Sequence, residues 1–580
     1  MNIIRETTET LRSMIRTAME QAIAEGALKE APLPDFVVEI PADTSKGDFA
    51  TNAAMAGARA FGMAPRKIAE AICSRLQLEG TPFERWEIAG PGFINLFVSQ
   101  QWFTDILTAI HTEGEAYGRS DYGKGQKYMV EFVSANPTGP MHMGNARGGA
   151  MGDCLAAALD WAGYDVTREF YVNDAGNQIE KFGVSLATRY LQLYKGEEAV
   201  PFPEDGYQGE DIKVHARAFA EQVGDSRVDA DFEALKAELV DFALPKNLAK
   251  MRADMNTYRI NYDVWFMESD LHNSGAVKEV IDKLTANGLT YEKDGALWYK
   301  NTQILTEQLK AQGKTDEQIA ALELKDDVLV RANGNPTYFA ADIAYHYNKF
   351  ATRGFDRVIN VWGADHHGHV ARMKGALDAV GLDGSKLDIV LMQLVRLFEN
   401  GVPVKMSKRT GKAITLTDLL EQVPVDAARF IFNLREPGST LDFDLGLAVE
   451  QSNQNPVYYV QYAHARICSI LKNLAAEGIE PQPVDCCKLD CLCTSEEREL
   501  IRRLGAMPNE IVEAARLYDP AKLTKYAIEV ATLFHKFYNA CRVKCDNPEL
   551  MQARLPLCLA VRTVLRNMLC LLKVEAPETM

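Results

Sequence analysis

The feature that most constrains how this chain can fold is a strand-turn-helix unit that occurs twice. Residues 128–133 form an apolar, strand-like run, a Pro- and Gly-rich turn follows, residues 150–162 read as a helix closed by Gly163, and residues 166–172 resume as a strand. The same order returns at residues 356–362, which end in Gly363, Ala364 and Asp365 and lead into a helix from His369 towards Val380. Strands joined through helices lie parallel. The middle of the chain is therefore expected to be α/β, a doubly wound (Rossmann-like) parallel sheet whose ligands gather beyond the carboxyl ends of the strands.

A chain of 580 residues has room for more than this unit. Residues 1–112 place Ile4, Leu11, Met14, Ile15 and Met19 on one helical face and add short strand-like runs at 36–40 and 93–98, as expected of an N-terminal α+β domain. The α/β domain is expected over 113–450, with a polar, helix-prone insertion at about 176–287. Beyond residue 451 the pattern is helical, with long amphipathic stretches at 500–518 and 521–543, so 451–580 is expected to be an all-α bundle.

With 47% apolar and 25% charged residues, and no run approaching the roughly 18 to 20 apolar residues that cross a bilayer, the chain is expected to be soluble and not membrane-bound. Glu6, Glu9 and Glu20 in the first helix are unlike an export or transit signal, so the 11 cysteines are expected to be reduced thiols in a cytoplasmic protein. Cys486, Cys487, Cys491 and Cys493 lack the paired spacing of a zinc site, and His366, His367 and His369 lack the flanking ligands of one. No bound metal is expected. The net charge of −17 argues against indiscriminate nucleic-acid binding, but residues 452–580 carry 16 Lys and Arg against 15 Asp and Glu. The C-terminal part is thus the less repulsive surface for an RNA backbone.

Two segments carry chemistry. In VEFVSANPTGPMHMGN, residues 130–145, His142 and Asn145 stand three apart at a helix start. That spacing puts both side chains beside free backbone N–H groups and the positive end of the helix dipole, which suits an ATP phosphate, and Gly144 lets a nucleotide approach the backbone closely. Taken alone, HxGN reads more readily as a helix cap than as a site. The second segment, VKMSKRTGK at 404–412, concentrates Lys405, Lys408, Arg409 and Lys412 after a strand-like run. A solvated surface loop is one reading; a cluster that meets the charge of departing pyrophosphate is the other.

HxGN followed by KMSKR resembles the two signatures of class I aminoacyl-tRNA synthetases. Further segments are similar to the bacterial branch of the arginyl-tRNA synthetases: GDFATNA at 47–53, AGPGFINL at 89–96, YVNDAGNQIE at 171–180, NPTYFAAD at 335–342, NPVYYVQYAHAR at 455–466 and APETM at 576–580. The resemblance implies an enzyme that joins arginine to the 3′ end of tRNA(Arg), with ATP as a substrate accompanied by Mg²⁺, no permanently bound cofactor, and a monomeric chain. It implies catalytic roles for His142, Asn145, Lys405 and Lys408. ATP contacts are implied at His142, Gly144, Asn145, Gly363, Asp365, Met406 and Lys408, and arginine contacts at Glu131, Ser134, Asn136, His142, Tyr338, Asp342 and His366. Contacts to tRNA are implied at Asn52, Tyr459, Arg466 and Met580.

The physics of the substrate agrees. A guanidinium is planar, permanently charged and offers five donors, so it calls for a carboxylate in a fork geometry, which Asp342 can supply, and Tyr338 lies four residues earlier on the same expected helical face. An Asp at the end of the 356–362 strand can accept from a ribose hydroxyl. This chain departs from the family in carrying Asn145 where most members have histidine, and Thr579 where arginine is frequent. Two other readings stay open at this level: a class I synthetase for another amino acid, and a non-catalytic tRNA-binding paralogue.

Overall fold

The computed structural model describes residues 2–41, 43–404 and 414–580. Five strands make the central sheet and are numbered within it in chain order: β1 Lys127–Glu131, β2 Asp165–Val172, β3 Val264–Met267, β4 Arg357–Gly363 and β5 Leu387–Met392. All four pairings are parallel and the order is β5-β4-β1-β2-β3. The chain winds outward from β1 to β3, then returns past β1 to lay β4 and β5 on its other side. The connections leaving β1 and β4 therefore diverge, and a crevice opens at the carboxyl ends of these two neighbours. The doubly wound sheet expected from the sequence is present.

The helix Met143–Trp161 crosses from β1 to β2 and is buried on nearly every side, because the sheet covers one face and the helices Val425–Phe432 and Met507–Leu517 cover others. Its glycines permit this. A Cβ on Gly152 would lie 2.3 Å from the Phe132 ring, so only glycine lets the helix sit this close to the segment leaving β1. That segment is itself strained: Val133 and Ser134 have φ of 70° and 43°, a left-handed backbone that a β-branched valine rarely adopts.

Before the sheet, the strands Val38–Glu39, Phe49–Thr51, Phe93–Val98 and Phe83–Ala89 pair antiparallel in that order and pack with the helices Ile3–Ala24 and Pro65–Cys73. Ile4, Leu11, Ile15 and Met19 are all buried, as their spacing predicts. After it, the helices Pro456–Ala476, Ser495–Gly505, Met507–Leu517, Ala521–Ala540 and Pro548–Leu571 form the C-terminal bundle. Two expectations need correction here. The stretch 500–518 is not one helix but the end of one and the whole of a second, because Pro508 has no N–H to continue the first and is accommodated only in the opening turn of the next. The insertion at 176–287, which closes with the helices Glu268–Asn273 and Ala276–Ala286, is interrupted by a strand: before it, Gly176–Lys195, Glu210–Val223 and Phe232–Thr257 enclose a small core of their own around Phe182, Tyr190, Phe219 and Leu239. The chain then rejoins the main sheet as β3.

The largest apolar core is continuous from the first helix through the signature helix to the last. At its centre the fully buried Arg429 donates through Nε to Leu572 O at 2.9 Å, through Nη1 to Tyr258 O at 2.9 Å, and through Nη2 to the buried Asp153 at 2.5 Å. One guanidinium thus ties the end of the C-terminal helix, the end of the insertion and the helix that begins at Met143. Among the described residues no helix is long and apolar enough to cross a membrane.

Candidate active site

The crevice between β1 and β4 is a cavity of about 560 Å³. His142, Gly144 and Asn145 line one side, Gly363, Asp365 and His366 the other, and Val361, Met392 and Leu394 supply apolar surface. Leu394 is 79% exposed and presents an apolar side chain at the mouth of the cavity. The sequence expectation of a helix start at His142 is met in detail. His142 is the N-cap of Met143–Trp161; its Nδ1 accepts from Gly144 N at 3.2 Å, while Asn145 Oδ1 accepts from His142 N at 3.0 Å. With Nδ1 accepting, the neutral ring carries its proton on Nε2, and desolvation keeps it neutral by lowering its pKa. The helix cap and the phosphate-binding reading are therefore compatible, since the reciprocal cap fixes both side chains at the mouth of the cavity and leaves Nε2 as a donor.

A second cavity, of about 620 Å³, is predominantly polar and includes Glu268, His272, Asn335 and Tyr338 in its lining. Tyr338 opens the helix Tyr338–Tyr347 behind the N-cap Thr337, and Asp342 follows one turn later on the same face. Asp342 is partly exposed, with its Oδ2 3.1 Å from His369 Nε2. Trp362, at the end of β4, has its ring 5.5 Å from that of His369 and 6.0 Å from that of His366, so it stands between a residue that lines the first cavity and the histidine that meets Asp342.

The remaining residues of the expected arginine set are dispersed more than the sequence suggested. Glu131 is buried, and its two oxygens accept from Lys349 Nζ at 2.5 Å and Ser134 Oγ at 2.9 Å. Its charge is matched within the protein, and Ser134 goes on to accept from Tyr171 N at 3.1 Å. Asn136 is exposed on the loop after β1. His366 lines the nucleotide-side crevice beside Asp365, 3.8 Å from its carboxylate, and not the pocket with Tyr338.

Sequence reasoning missed Glu268 and Tyr171. Glu268 is 3% exposed. Burial raises its pKa and the neighbouring Asp342 raises it further, while hydrogen bonds from Tyr171 and His272 act the other way. Its Oε1 lies 3.5 Å from His272 Nε2, one helical turn on, and both residues line the second cavity together with Arg331. The available signal was its position immediately after a four-residue apolar run, the carboxyl end of a parallel strand.

Lys405, Met406 and Lys408 lie outside the described residues, but the flanks on both sides are described. On one side, Val404 N donates to Leu397 O at 2.9 Å, and Asp444 accepts from the N–H groups of Asn400 and Gly401 at 3.1 and 2.6 Å. On the other, Met143 N donates to Ile414 O at 3.0 Å and Leu416 N to Met141 O at 2.8 Å. Ile414 and Leu416 thus pair through the backbone with Met143 and Met141, the residues on either side of His142.

Of the residues expected to face RNA, Tyr459 and Arg466 share the helix Pro456–Ala476 with Tyr458 and Tyr462, whose rings stack at 6.2 Å and 7°. His535 lies 5.1 Å from the Tyr459 ring, and the Arg466 guanidinium lies 4.3 Å from the Tyr538 ring centroid. The helix thus carries a run of aromatic rings that pack on one another and on a cation. The chain end is pinned to the same helix, with His464 Nδ1 2.9 Å from Pro577 O, and Met580 is exposed. Asn52 is placed differently. Its Oδ1 accepts from Val37 N at 2.9 Å, an internal bond of the N-terminal domain.

Comparison with known proteins agrees with this geometry. Residues 9–98 match the family described as arginyl tRNA synthetase N terminal domain, residues 106–436 that of tRNA synthetases class I (R), catalytic domain, and residues 460–580 the DALR anticodon binding domain. Curated arginine–tRNA ligases from Caldanaerobacter subterraneus and Acetivibrio thermocellus are 54% and 52% identical over 579 residues, covering 100% of this chain and of each relative. The crystal structure of a Campylobacter jejuni protein titled as a putative arginyl-tRNA synthetase superimposes with a TM-score of 0.71 at 30% identity, over 83% of this chain and 100% of that one. The Thermus thermophilus arginyl-tRNA synthetase does so at 0.70 and 23% identity, over 98% and 100%. With curated relatives more than half identical along its whole length, and with the class I catalytic domain of the arginyl enzymes matched over residues 106–436, the chain belongs to the arginyl-tRNA synthetase family.

Proposed function

We propose that this protein is an arginine–tRNA ligase in which the crevice between β1 and β4 holds ATP and the pocket of Tyr338, Asp342 and Glu268 holds the arginine side chain. The observation that carries the reading is the adjacency of two sites of opposite preference. A helix N-terminus with a neutral His142 and Asn145 favours phosphate, and a pair of acids one aromatic ring away favours a cation.

In the reaction, the arginine carboxylate attacks the α-phosphorus of ATP, pyrophosphate leaves, and a hydroxyl of the terminal tRNA ribose then displaces AMP from the adenylate. No covalent bond to the protein is needed, so the protein acts by positioning and by matching charge. His142 Nε2 and Asn145 steady the phosphates, Asp365 accepts from the ribose, and Leu394 covers the base. Lys405 and Lys408 neutralise the leaving pyrophosphate, and Met406 contacts the nucleotide beside them. Mg²⁺ travels on the phosphate oxygens: the described groups around His142 are nitrogen and amide donors, which suit phosphate better than a cation that prefers oxygen ligands. The aromatic surface of Tyr458, Tyr459 and Tyr462 with Arg466 receives tRNA bases, and the chain works as a monomer in the cytoplasm.

The test is Asp342→Asn, which keeps the shape and removes the charge. We expect kcat/KM for arginine in arginine-dependent pyrophosphate exchange to fall by about 2 kcal/mol, roughly 30-fold, with the KM for ATP nearly unchanged. An unchanged KM for arginine would remove Asp342 from the pocket.

A further inference from the structure

Arg147 stands two residues beyond Asn145 in the helix that opens the nucleotide crevice, and it is fully buried. Its Nη1 donates to Gln393 O at 2.6 Å, and its Nη2 donates to Ser439 O at 2.9 Å and Glu436 O at 3.2 Å. These acceptors are backbone carbonyls. The other two buried arginines pair with buried acids, Arg429 with Asp153 and Arg554 with Glu497, whereas among the described residues no carboxylate meets Arg147. Burial without an acid lowers its pKa to about 10, still well above neutrality, so the group stays charged. A buried, unmatched guanidinium is costly, and a plain hydrogen-bonding role would be served by a neutral side chain.

The acceptors explain the cost. Gln393 lies in the short link between β5 and the strand Val395–Glu399, where Met392, Gln393, Leu394 and Val395 all line the nucleotide crevice. Ser439 and Glu436 lie behind this link, which is bonded to the same turn through Gln393 N to Pro437 O at 3.0 Å. The planar fork of Arg147 thus clamps the crevice wall at residues 392–395 to the helix whose first turn carries His142 and Asn145. We infer that Arg147 is a positioning residue for the nucleotide: it sets the spacing between the apolar wall and the phosphate-binding turn. Resting on the reading of this crevice as the ATP site, the assignment adds a residue that touches neither phosphate nor base. It acts through the wall on binding, in ground and transition state alike.

The test compares Arg147→Met, which removes fork and charge, with Arg147→Lys, which keeps the charge and loses the fork. Affinity for ATP is measured by equilibrium dialysis with labelled nucleotide, and KM values for ATP and for arginine by pyrophosphate exchange with tRNA present. We expect ATP affinity to fall about tenfold in Arg147→Met and several-fold in Arg147→Lys, with KM for ATP rising in step, KM for arginine within twofold and kcat little changed. Parallel rises in both KM values would show general damage and overturn the inference, as would unchanged ATP affinity in either folded variant. Should Arg147→Met fail to fold, Arg147→Lys decides by the same ratio of KM values. A parent protein that does not bind ATP would overturn the reading of the crevice and this inference with it; a parent that binds ATP while the variants bind equally well overturns the inference alone.

Discussion

Arg429→Ala is expected to destabilise the protein by about 3–5 kcal/mol, the usual cost of removing one partner from a buried, hydrogen-bonded charge pair. The change strips three interactions at once: Asp153, itself 2% exposed, loses its closest cation, and the carbonyls of Leu572 and Tyr258 lose their donors. Asp153 keeps a weaker partner in Arg168, at 3.3 Å, which places the loss inside that range and not above it. The helix Val425–Phe432 also carries Asp426, which accepts from Gln461 Nε2 at 2.8 Å and from Glu575 N at 3.2 Å. Unfolding of the C-terminal bundle and of the signature helix should therefore shift together. A urea titration of the intact chain, followed by tryptophan fluorescence and by nucleotide binding, reads both. A shift equivalent to less than about 1 kcal/mol, or one confined to a single probe, would contradict a shared core.

Lys408→Ala should lower the rate of arginyl-adenylate formation by about 10² to 10³ while ATP affinity changes little, because charge builds on the leaving pyrophosphate only as the bond breaks. Lys408 lies outside the described residues, so the expectation rests on the motif and on its described flanks. On those flanks, Val404 pairs with Leu397, and Ile414 and Leu416 pair with Met143 and Met141. Single-turnover measurement at saturating ATP, arginine and cognate tRNA is the appropriate readout. A rate within about twofold of the parent, in a folded variant, would make the lysine cluster a solvated loop and favour the reading of a non-catalytic paralogue.

The parts of this fold that the sequence revealed are those where one local pattern had one physical solution. Residues 128–172 are an example, since a buried strand, a Pro/Gly turn and a capped helix follow one another with little ambiguity. His142 and Asn145 were placed correctly at the helix start for the same reason. The misplaced features depended on distant partners. The strand Val264–Met267 is only four residues long and follows a long helical stretch, so nothing local separates it from a loop; its pairing with Asp165–Val172 makes it a strand. That Glu131 meets Lys349 could not be read locally, because the two stand 218 residues apart. Glu268 was passed over because its neighbours Asp342 and Tyr171 come from distant parts of the chain. The break at Ala506 was passed over, although a proline two residues later marks the opening turn of a new helix.

The central claim is that this protein activates arginine and passes it to tRNA, and ATP–pyrophosphate exchange tests it most directly when run with each amino acid in turn, with and without cognate tRNA. We expect exchange with arginine in the presence of tRNA(Arg), little or none with lysine, whose ammonium lacks the planar fork of a guanidinium, and formation of arginyl-tRNA. Exchange supported equally well by another amino acid, or none with arginine and tRNA(Arg) both present, would contradict it.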